Sequence, residues 1–302
     1  MTKYNISRGT FGSVAIEIDQ QEFEKSRAGR NDILTMLTAE EKYDLVIENY
    51  LEFERSLLES TIDYMVLGDH DEDWFNKQRN EFDRRVFNLL SSCRSYVEFA
   101  PQCANVIDNV GDKIKKRKNE IHASSFAYRL MDNLRNFVTY GGSPTHVLTF
   151  SQDTDSMTDD FILIVSTPEI SVTTERLAKA KKTSAKVLAE IEERGGNVSL
   201  CPLLREYMRH LSECHQFLRD LCRQKVETAR NTAREICERY AIVQTDGPDF
   251  NGVLAIKYEG NSAVEKFWIV RNPNRLDYFE RKNRALHNLE RRVLTNKIPP
   301  HR

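Results

Sequence analysis

Hydrophobic residues recur at helical spacing through the first third of the chain. In residues 40–65 they fall every three or four positions, with one polar gap at Glu54. This spacing predicts a helix of about seven turns that begins after the capping residue Thr38. The same spacing in residues 82–97 predicts a second helix, which Pro101 is expected to end.

A third amphipathic segment covers residues 127–138. Ser124 and Ser125 both precede it, and either hydroxyl suits the N-cap position. The sequence Gly141-Gly142-Ser143-Pro144 follows it and is expected to stop the helix. The pattern therefore predicts a short helix with defined ends.

Strand and helix patterns alternate in the next stretch. Two runs rich in β-branched and aromatic residues, 146–150 and 161–165, predict a long β-hairpin. A helix is expected over residues 174–194, and a long helix over residues 204–240. If unbroken, this long helix spans about 55 Å at 1.5 Å per residue.

The C-terminal part predicts two strands, at residues 253–256 and 267–270, and a last, basic helix at residues 278–294. The expected fold class is α+β, mainly α. It comprises an N-terminal helical bundle with an inserted β-hairpin, one long helix, and a small C-terminal β region. The sequence divides into an N-terminal strand and turn segment (1–39), a helical domain (40–240) with its hairpin near 146–166, and a β region with a basic helix (241–302).

Composition narrows the class of protein. Hydrophobic residues make up 40% and charged residues 30% of the 302 residues, which is typical of a globular protein. The longest stretch without Lys, Arg, Asp or Glu, residues 136–152, is broken by glycine and proline, so no membrane segment is expected. The N-terminus has no apolar signal-peptide core, and the six cysteines form no C-x-x-C motif, so a cytoplasmic protein with reduced thiols is expected.

The formal net charge of −2 conceals an uneven distribution. Residues 40–83 carry 14 acidic and 4 basic side chains, whereas residues 271–302 carry 9 basic and 3 acidic ones. One interpretation is that solvated faces attract each other within a monomer or across a dimer. The other is that basic segments bind nucleic-acid phosphates. The candidates for this contact are Lys115, Lys116, Arg117, Lys118, Arg281, Lys282 and Arg284.

The third helix carries the most distinctive polar residues. At 100° per residue, Tyr128, Asp132, Arg135 and Thr139 lie within about 60° of one another, beside the apolar stripe. This position places Arg135 at the border of a core or an interface. Such a helix is typical of one that packs in a bundle and also contacts a partner protein.

The segment Leu134-Arg135-Asn136-Phe137, ending in Tyr140 before the glycines, resembles the Leu-Arg-Asn-Tyr-x-x-His helix of bacterial HEPN-like helical-bundle proteins. The resemblance covers residues 40–240, and its specific part is the short helix with Arg135 and Asn136. It implies a metal-independent endoribonuclease of toxin–antitoxin or phage-defence systems, with an Arg and a His at a dimer interface.

This chain departs from the HEPN pattern at the histidine. Tyr140 stands at or near its place, and a tyrosine hydroxyl, with an ordinary pKa near 10, transfers protons poorly at neutral pH. His146 lies beyond the turn and His122 precedes the helix. The candidate catalytic set is therefore Arg135, Asn136, Tyr140 and His146, with His122 as a further proton-transfer group.

Three interpretations follow. The expected one is a HEPN-like binding or assembly module with a degenerate active site. An active endoribonuclease that uses Arg135 at a dimer interface is the alternative. An unrelated helical protein in which Arg135 pairs with Asp132 is the third. The expected partners are a second copy, RNA or another nucleic acid, and an antitoxin-like protein; no motif indicates a cofactor or a metal.

Overall fold

The computed structural model describes residues 2–8, 13–67, 70–157, 162–179, 183–243, 252–269 and 274–291. For residues 153–157 and 162–165 it describes the backbone alone. These residues form mainly α-helix with two small antiparallel sheets, which confirms the expected fold class. The strands are β1 (Thr2–Arg8), β2 (Ala15–Ile18), β3 (Val147–Met157), β4 (Ile162–Thr173), β5 (Asn197–Ser199), β6 (Val253–Glu259) and β7 (Ser262–Trp268). The helices are α1 (Gln20–Val66), α2 (Glu72–Asp108), α3 (Gly111–Ser124), α4 (Phe126–Thr139), α5 (Thr174–Ala178), α6 (Ala185–Glu192), α7 (Leu200–Val243) and α8 (Arg275–Lys282).

The chain forms two compact units, each assembled from three segments. Unit 1 comprises Met1–Asp44, Tyr96–Lys115 and Gln216–Arg284, and unit 2 comprises Leu45–Ser95, Lys116–His215 and Ala285–Arg302. Four helices, α1, α2, α3 and α7, run through both units. The units therefore do not follow the division of the sequence at residues 39 and 240.

Unit 1 contains a four-stranded sheet in the order β2-β1-β6-β7. β1 pairs antiparallel with β2 and with β6, so strands from the two ends of the chain share one sheet. Ile6, Phe23, Ile236 and Phe267 belong to the core cluster beside it. The Tyr240 hydroxyl also accepts a hydrogen bond from the backbone N–H of Arg8 (2.9 Å), which ties α7 to β1.

α1 begins twenty residues earlier than its hydrophobic pattern predicts. The Asp19 carboxylate accepts a hydrogen bond from the backbone N–H of Glu22 at 2.7 Å, an N-cap contact. Thr38, the predicted cap, lies inside the helix, where its hydroxyl donates to the carbonyl of Leu34 at 2.9 Å. The predicted start was wrong because a threonine can bond to the preceding turn as well as cap a helix.

Pro101 does not end α2, contrary to the sequence-based expectation. The helix continues to Asp108, although proline donates no backbone hydrogen bond to the preceding turn. Gly111 lies close to the carbonyl oxygen of Pro101, because a Cβ on Gly111 would stand 2.4 Å from that oxygen. Glycine at this position lets α3 begin against the last turns of α2.

The hairpin of unit 2 is confirmed and is longer than predicted, with β3 paired antiparallel to β4 and β5 on the other side of β4. Its predicted residues 158–161 lie outside the described residues. The long helix α7 is confirmed. The single helix expected over residues 174–194 is instead two helices, α5 and α6. Thr183 and Ser184 lie outside both helices, and Ser184 is the extended N-cap residue of α6.

The predicted C-terminal helix, residues 278–294, is also wrong in extent. α8 ends at Lys282, and Asn283 follows with φ −98° and ψ 66°, outside the helical region. The Asn283 side chain is buried and donates to the Asp44 carboxylate at 3.0 Å, a contact that fixes the end of the helix. Along the described part of the chain, no helix is both long and apolar enough to cross a membrane.

Candidate functional site

The helix α4 forms as the sequence predicts, and its ends are defined by specific contacts. The Ser125 hydroxyl accepts a hydrogen bond from the backbone N–H of Tyr128 at 3.1 Å, which identifies Ser125 as the N-cap. The same hydroxyl donates to Glu206 at 2.7 Å. Leu130 and Leu134 are fully buried, so the apolar stripe of α4 faces the core of unit 2.

The predicted glycine stop is confirmed. Tyr140 is the C-cap residue, and Gly141 follows with φ +89°, a conformation that glycine adopts without strain. A Cβ on Gly142 would stand 2.2 Å from the Phe137 ring, so any other residue at this position would force that ring to move. This turn leaves the Tyr140 side chain 69% exposed.

A cavity of about 640 Å³ lies between the end of α4 and the segment after β4. We call it the α4–α5 pocket. It is lined by Asn133, Asn136, Phe137, Tyr140, Gly141, Gly142, Ser143, Arg176, Lys179 and Thr183. Two of the four predicted catalytic residues, Asn136 and Tyr140, therefore line one cavity, whereas Arg135 and His146 do not.

The cations of the pocket were not identified from the sequence. Arg176 is exposed and has no ion pair with any residue that the structure describes, and Lys179 forms an exposed pair with Glu175 at 2.8 Å. A signal was present in the sequence, because residues 176–186 contain five basic and no acidic side chains. This charge run lies inside the stretch where one continuous helix, residues 174–194, was predicted.

Two hydrogen-bonding side chains of α4, one of which lines the pocket, connect this helix to α6 and its N-cap. Asn133 donates to the carbonyl of Arg129 at 2.9 Å, and its own carbonyl accepts from the backbone N–H of Ser184 at 2.8 Å. Arg129 is buried and donates to both oxygens of Glu190, at 3.0 and 2.5 Å. This hydrogen bonding lowers the pKa of Glu190. The contacts attach α4 to α6 at two points.

Arg135 lies beside the pocket and contacts its helical neighbours. Its Nη1 lies 3.3 Å from Asp132 Oδ1, and its Nη2 donates to Asn136 Oδ1 at 3.3 Å. Its side chain is 22% exposed, and its buried Nε has no hydrogen-bond partner among the described atoms. The guanidinium thus stands at the border of the core, as the helical spacing predicts.

Asp132 also faces a histidine. His122 Nε2 lies 4.0 Å from Asp132 Oδ2, so one carboxylate stands between an imidazole and the Arg135 guanidinium. Behind them, the rings of Tyr128 and Tyr207 pack at 5.0 Å. Burial raises the pKa of both tyrosines above the ordinary range, which keeps their hydroxyls protonated.

His146 lies in the core of unit 2 with 2% of its surface exposed. Its Nδ1 accepts a hydrogen bond from the backbone N–H of Thr173 at 2.9 Å, and its ring meets Phe137 edge-on at 5.4 Å. Burial, with a contribution from Arg176, lowers the pKa of His146 to about 4. The ring is therefore neutral at pH 7, with its proton on Nε2.

The basic run of α3 faces solvent for the most part. Lys115 pairs with Asp112 at 2.8 Å, and Arg117 lies 3.9 Å from Glu213. Lys116 is exposed and Lys118 is half-buried, and neither forms an ion pair within the described ranges. A nucleic-acid contact by this run stays a prediction.

The basic residues at and just after the end of α8 differ in their ion pairing. Lys282 contacts the Asp44 carboxylate at 2.7 Å. Arg281 and Arg284 are exposed and make no ion pair to another described residue. Lys282 would have to leave Asp44 to bind a phosphate, whereas Arg281 and Arg284 would not.

Among the side chains that the structure describes, no group of three or more His, Cys, Asp or Glu is arranged to hold a metal ion. The chemistry that these residues offer is aromatic stacking, hydrogen bonding and cationic contact in the α4–α5 pocket, with proton transfer at His122. No family model, no curated protein and no solved structure matches the chain.

Proposed function

We propose that this protein is a HEPN-like helical binding module that binds single-stranded RNA in the α4–α5 pocket. The proposal rests on one observation. The exposed ring of Tyr140 shares a cavity of about 640 Å³ with the cations Arg176 and Lys179 and with the amide of Asn136. These are the groups that recognise an unpaired nucleotide.

Each group suits one part of a nucleotide. An aromatic ring stacks on an unpaired base, and such stacking contributes about 1–3 kcal/mol per base. A guanidinium binds phosphate oxygens in a bidentate manner, so Arg176 suits the backbone phosphate. The Asn136 amide can bond to a base edge. A cavity of 300–1,000 Å³ is typical of small-molecule sites, which is sufficient for one nucleotide.

Single-stranded RNA fits this arrangement better than a duplex. In a duplex the bases are already stacked on each other, and base edges in the deep major groove of RNA are closed to side chains. Tyr140 would then have no face of a base to contact. The pocket therefore favours loops, bulges and free ends.

The surroundings of the predicted catalytic groups also favour binding over cleavage. Arg135 directs two of its nitrogens to Asp132 and Asn136, and His146 is buried and neutral. Neither side chain lines the pocket. A nucleotide bound against Tyr140 would thus meet hydrogen-bonding groups rather than a proton-transfer pair.

Fluorescence anisotropy with a labelled 12-nucleotide oligouridine tests the proposal. Tyr140→Ala should weaken binding about 5- to 150-fold, the equivalent of one lost stacking contact, whereas Tyr140→Phe should bind within about twofold of the wild type. Arg176→Ala should lower the slope of log affinity against log salt by about 0.7, the value for one phosphate contact on a single strand.

Lys266→Ala is the matched control, because it removes one positive charge from an exposed strand position of unit 1. It should leave the affinity nearly unchanged. Wild-type affinity in both Tyr140→Ala and Arg176→Ala would contradict the proposal. Equal affinity of the wild type for a duplex RNA of the same length would also contradict it.

A second candidate function is metal-independent RNA cleavage. One observation favours it, namely that Asp132 lies between His122 and Arg135. In such a reaction His122 would take the proton of a ribose 2′-hydroxyl as its oxygen bonds to phosphorus, and Arg135 would stabilise the charge that develops on the phosphorane. The P–O5′ bond would then break, the 5′-oxygen would take a proton from water, and a 2′,3′-cyclic phosphate would remain. The HEPN resemblance implies the same pair of residue types.

Incubation with a mixed RNA pool in the presence of EDTA distinguishes the two functions. Cleavage that His122→Ala and Arg135→Ala each abolish, while oligouridine binding persists, would establish the nuclease. Equal degradation by Arg135→Ala and by the wild type would indicate a contaminant or another site. Binding without cleavage is the result expected from the proposed binding module.

A further inference from the structure

The last turns of α1 present an apolar face to solvent. Leu58, Ile62, Met65 and Val66 are 45%, 55%, 60% and 72% exposed. At 100° per residue the four side chains lie within an arc of about 100°, so they form one continuous stripe. Such a stripe normally packs against another element, and contiguous exposed apolar surface indicates an interaction site.

An aromatic cluster supports the segment that carries the stripe. The ring of Tyr64 stacks on Phe150 at 4.4 Å and on His70 at 4.3 Å, and Trp74 packs against Phe150 at 5.3 Å. These contacts join the end of α1, the start of α2 and strand β3, all within unit 2. The stripe is therefore held on a packed part of the fold.

Glu59 and Asp63 border one side of the stripe, at about 20° and 60° beyond Val66 around the helix, and cations are absent from this stretch of sequence. Between residues 59 and 76 the chain has six acidic residues and no Lys or Arg. Those that the structure describes are Glu59, Asp63, Asp71, Glu72 and Asp73. None of these five forms an ion pair within the described ranges. The nearest cations along the chain are Arg55 and Lys77.

We propose that this surface, the acidic tip, binds a basic amphipathic helix of another protein. The acidic tip consists of the apolar stripe (Leu58, Ile62, Met65 and Val66) and the five described carboxylates. A partner helix with apolar residues at i, i+3 or i+4, and i+7 would match the spacing of Leu58, Ile62 and Met65. Lys or Arg residues along one side of that stripe would face Glu59 and Asp63.

The charge of the tip argues against the other occupants. A second copy docked through the same face would bring two sets of carboxylates together, which like-charge repulsion disfavours. Nucleic acids and anionic membranes are repelled for the same reason. A basic helix satisfies both the apolar stripe and the unpaired carboxylates, and this binding does not depend on RNA in the α4–α5 pocket.

The test uses the full chain and an 18-residue fluorescent peptide of Leu and Lys, with Leu at helical spacing. A peptide of the same composition in scrambled order is the first control. The helical peptide should bind at least about tenfold more tightly than the scrambled one, because only the former can match the stripe while its lysines meet the carboxylates. Ile62→Ser with Met65→Ser should weaken its binding at least about tenfold.

A second pair of variants separates charge from apolar contact. Glu59→Gln with Asp63→Asn should weaken binding and reduce its dependence on salt. Phe87→Ser with Val106→Ser, at exposed apolar positions elsewhere, should stay within about twofold of the wild type. This control excludes a general loss of hydrophobic surface.

Three results would overturn the proposal. They are binding of neither peptide at low salt, equal binding of both peptides, and wild-type affinity in the variant with Ile62→Ser and Met65→Ser. Sedimentation velocity tests the remaining alternative, which is self-association through this face. Self-association that this double variant abolishes would assign the face to a second copy and also overturn the proposal.

Discussion

Residues 20–44 of α1 and its last turns, residues 58–66, both carry carboxylates, but the ion pairing of these carboxylates differs. In residues 20–44, each of four carboxylates contacts a cation within unit 1: Glu22 with Arg239, Glu40 with Arg219, Glu41 with Arg275, and Asp44 with Lys282. In the last turns, within unit 2, Glu59 and Asp63 form no ion pair with any described residue, and the apolar residues beside them are exposed. Local sequence alone does not distinguish the two cases.

The comparison bears on the charge asymmetry of the chain. The pairs Glu41–Arg275 and Asp44–Lys282 join the acidic and basic stretches inside unit 1. They agree with the interpretation that opposite faces attract each other within the monomer. The carboxylates of the acidic tip take no part in this attraction, because they form no ion pair with any described residue.

The largest expected effect is at the buried ion pair of residues 20–44. Glu40 is fully buried and accepts two hydrogen bonds from Arg219, both at 2.7 Å. Glu40→Ala would leave the guanidinium buried without its counter-charge, so the free energy of unfolding should fall by about 3–5 kcal/mol. Urea denaturation measures this change. Adding Arg219→Met should recover part of the loss, and a loss below about 1 kcal/mol in the single variant would contradict the burial of the pair.

His146 gives the converse case, a buried titratable group without a charged partner. With its pKa lowered to about 4, it stays neutral where an unfolded histidine, near 6.5, takes up a proton. The free energy of unfolding therefore falls by at most about 3 kcal/mol as the pH falls from about 6.5 to about 4. Above pH 7, His146 contributes no pH dependence.

Urea denaturation of the wild type and His146→Asn at pH 7, 6 and 5 checks this prediction. Asparagine keeps an acceptor for the backbone N–H of Thr173 but does not titrate. The difference in stability between the two proteins should shrink as the pH falls. A difference that is constant with pH would mean that His146 titrates normally.

A small effect is expected one residue after the buried pair. Glu41 and Arg275 form an ion pair at 2.7 Å, but their side chains are 43% and 47% exposed. Exposed pairs contribute about 0–1 kcal/mol, so Glu41→Ala should change the free energy of unfolding by less than about 1 kcal/mol. Glu40→Ala and Glu41→Ala thus compare a buried ion pair with an exposed one. Similar losses of unfolding free energy in both variants would contradict the difference in burial.

The smallest effect on stability is expected at the acidic tip. Ile62→Ser with Met65→Ser removes apolar groups that are more than half exposed, so the free energy of unfolding should change by about 0.5 kcal/mol or less. Differential scanning calorimetry of the two proteins is sufficient. A loss above about 2 kcal/mol would show that the stripe is packed in solution and not available to a partner.

Local patterns were sufficient for elements whose signals lie in adjacent residues. The cap at Ser125, the stop at Gly141 and Gly142, the hairpin and α7 all follow from spacing and turn chemistry. The start of α1 and the helix through Pro101 were missed, because Thr38 and Pro101 have more than one structural role. The residue at the border of the core, Arg135, was located correctly from helical periodicity alone.

The sequence predicted only some of the residues that line the α4–α5 pocket. Asn136 and Tyr140 come from the helix that the sequence singled out, but Arg176 and Lys179 reach the same cavity from a segment about forty residues later. The sequence-based candidate set contained His146, with His122 as a further proton-transfer group. Only the fold buries the former beside Thr173 and brings the latter to Asp132.

The sequence by itself determined the mainly α class, most helix and strand positions, and the amphipathic character of α4, because these depend on periodicity and on residues close in the chain. The tertiary structure decided that β1 pairs with β6, that Glu40 meets Arg219, and that Tyr140 shares a cavity with Arg176. These contacts join residues far apart in sequence. Which of many similar carboxylates and cations finds a partner depends on the packing of the whole unit, and a local pattern does not contain that information.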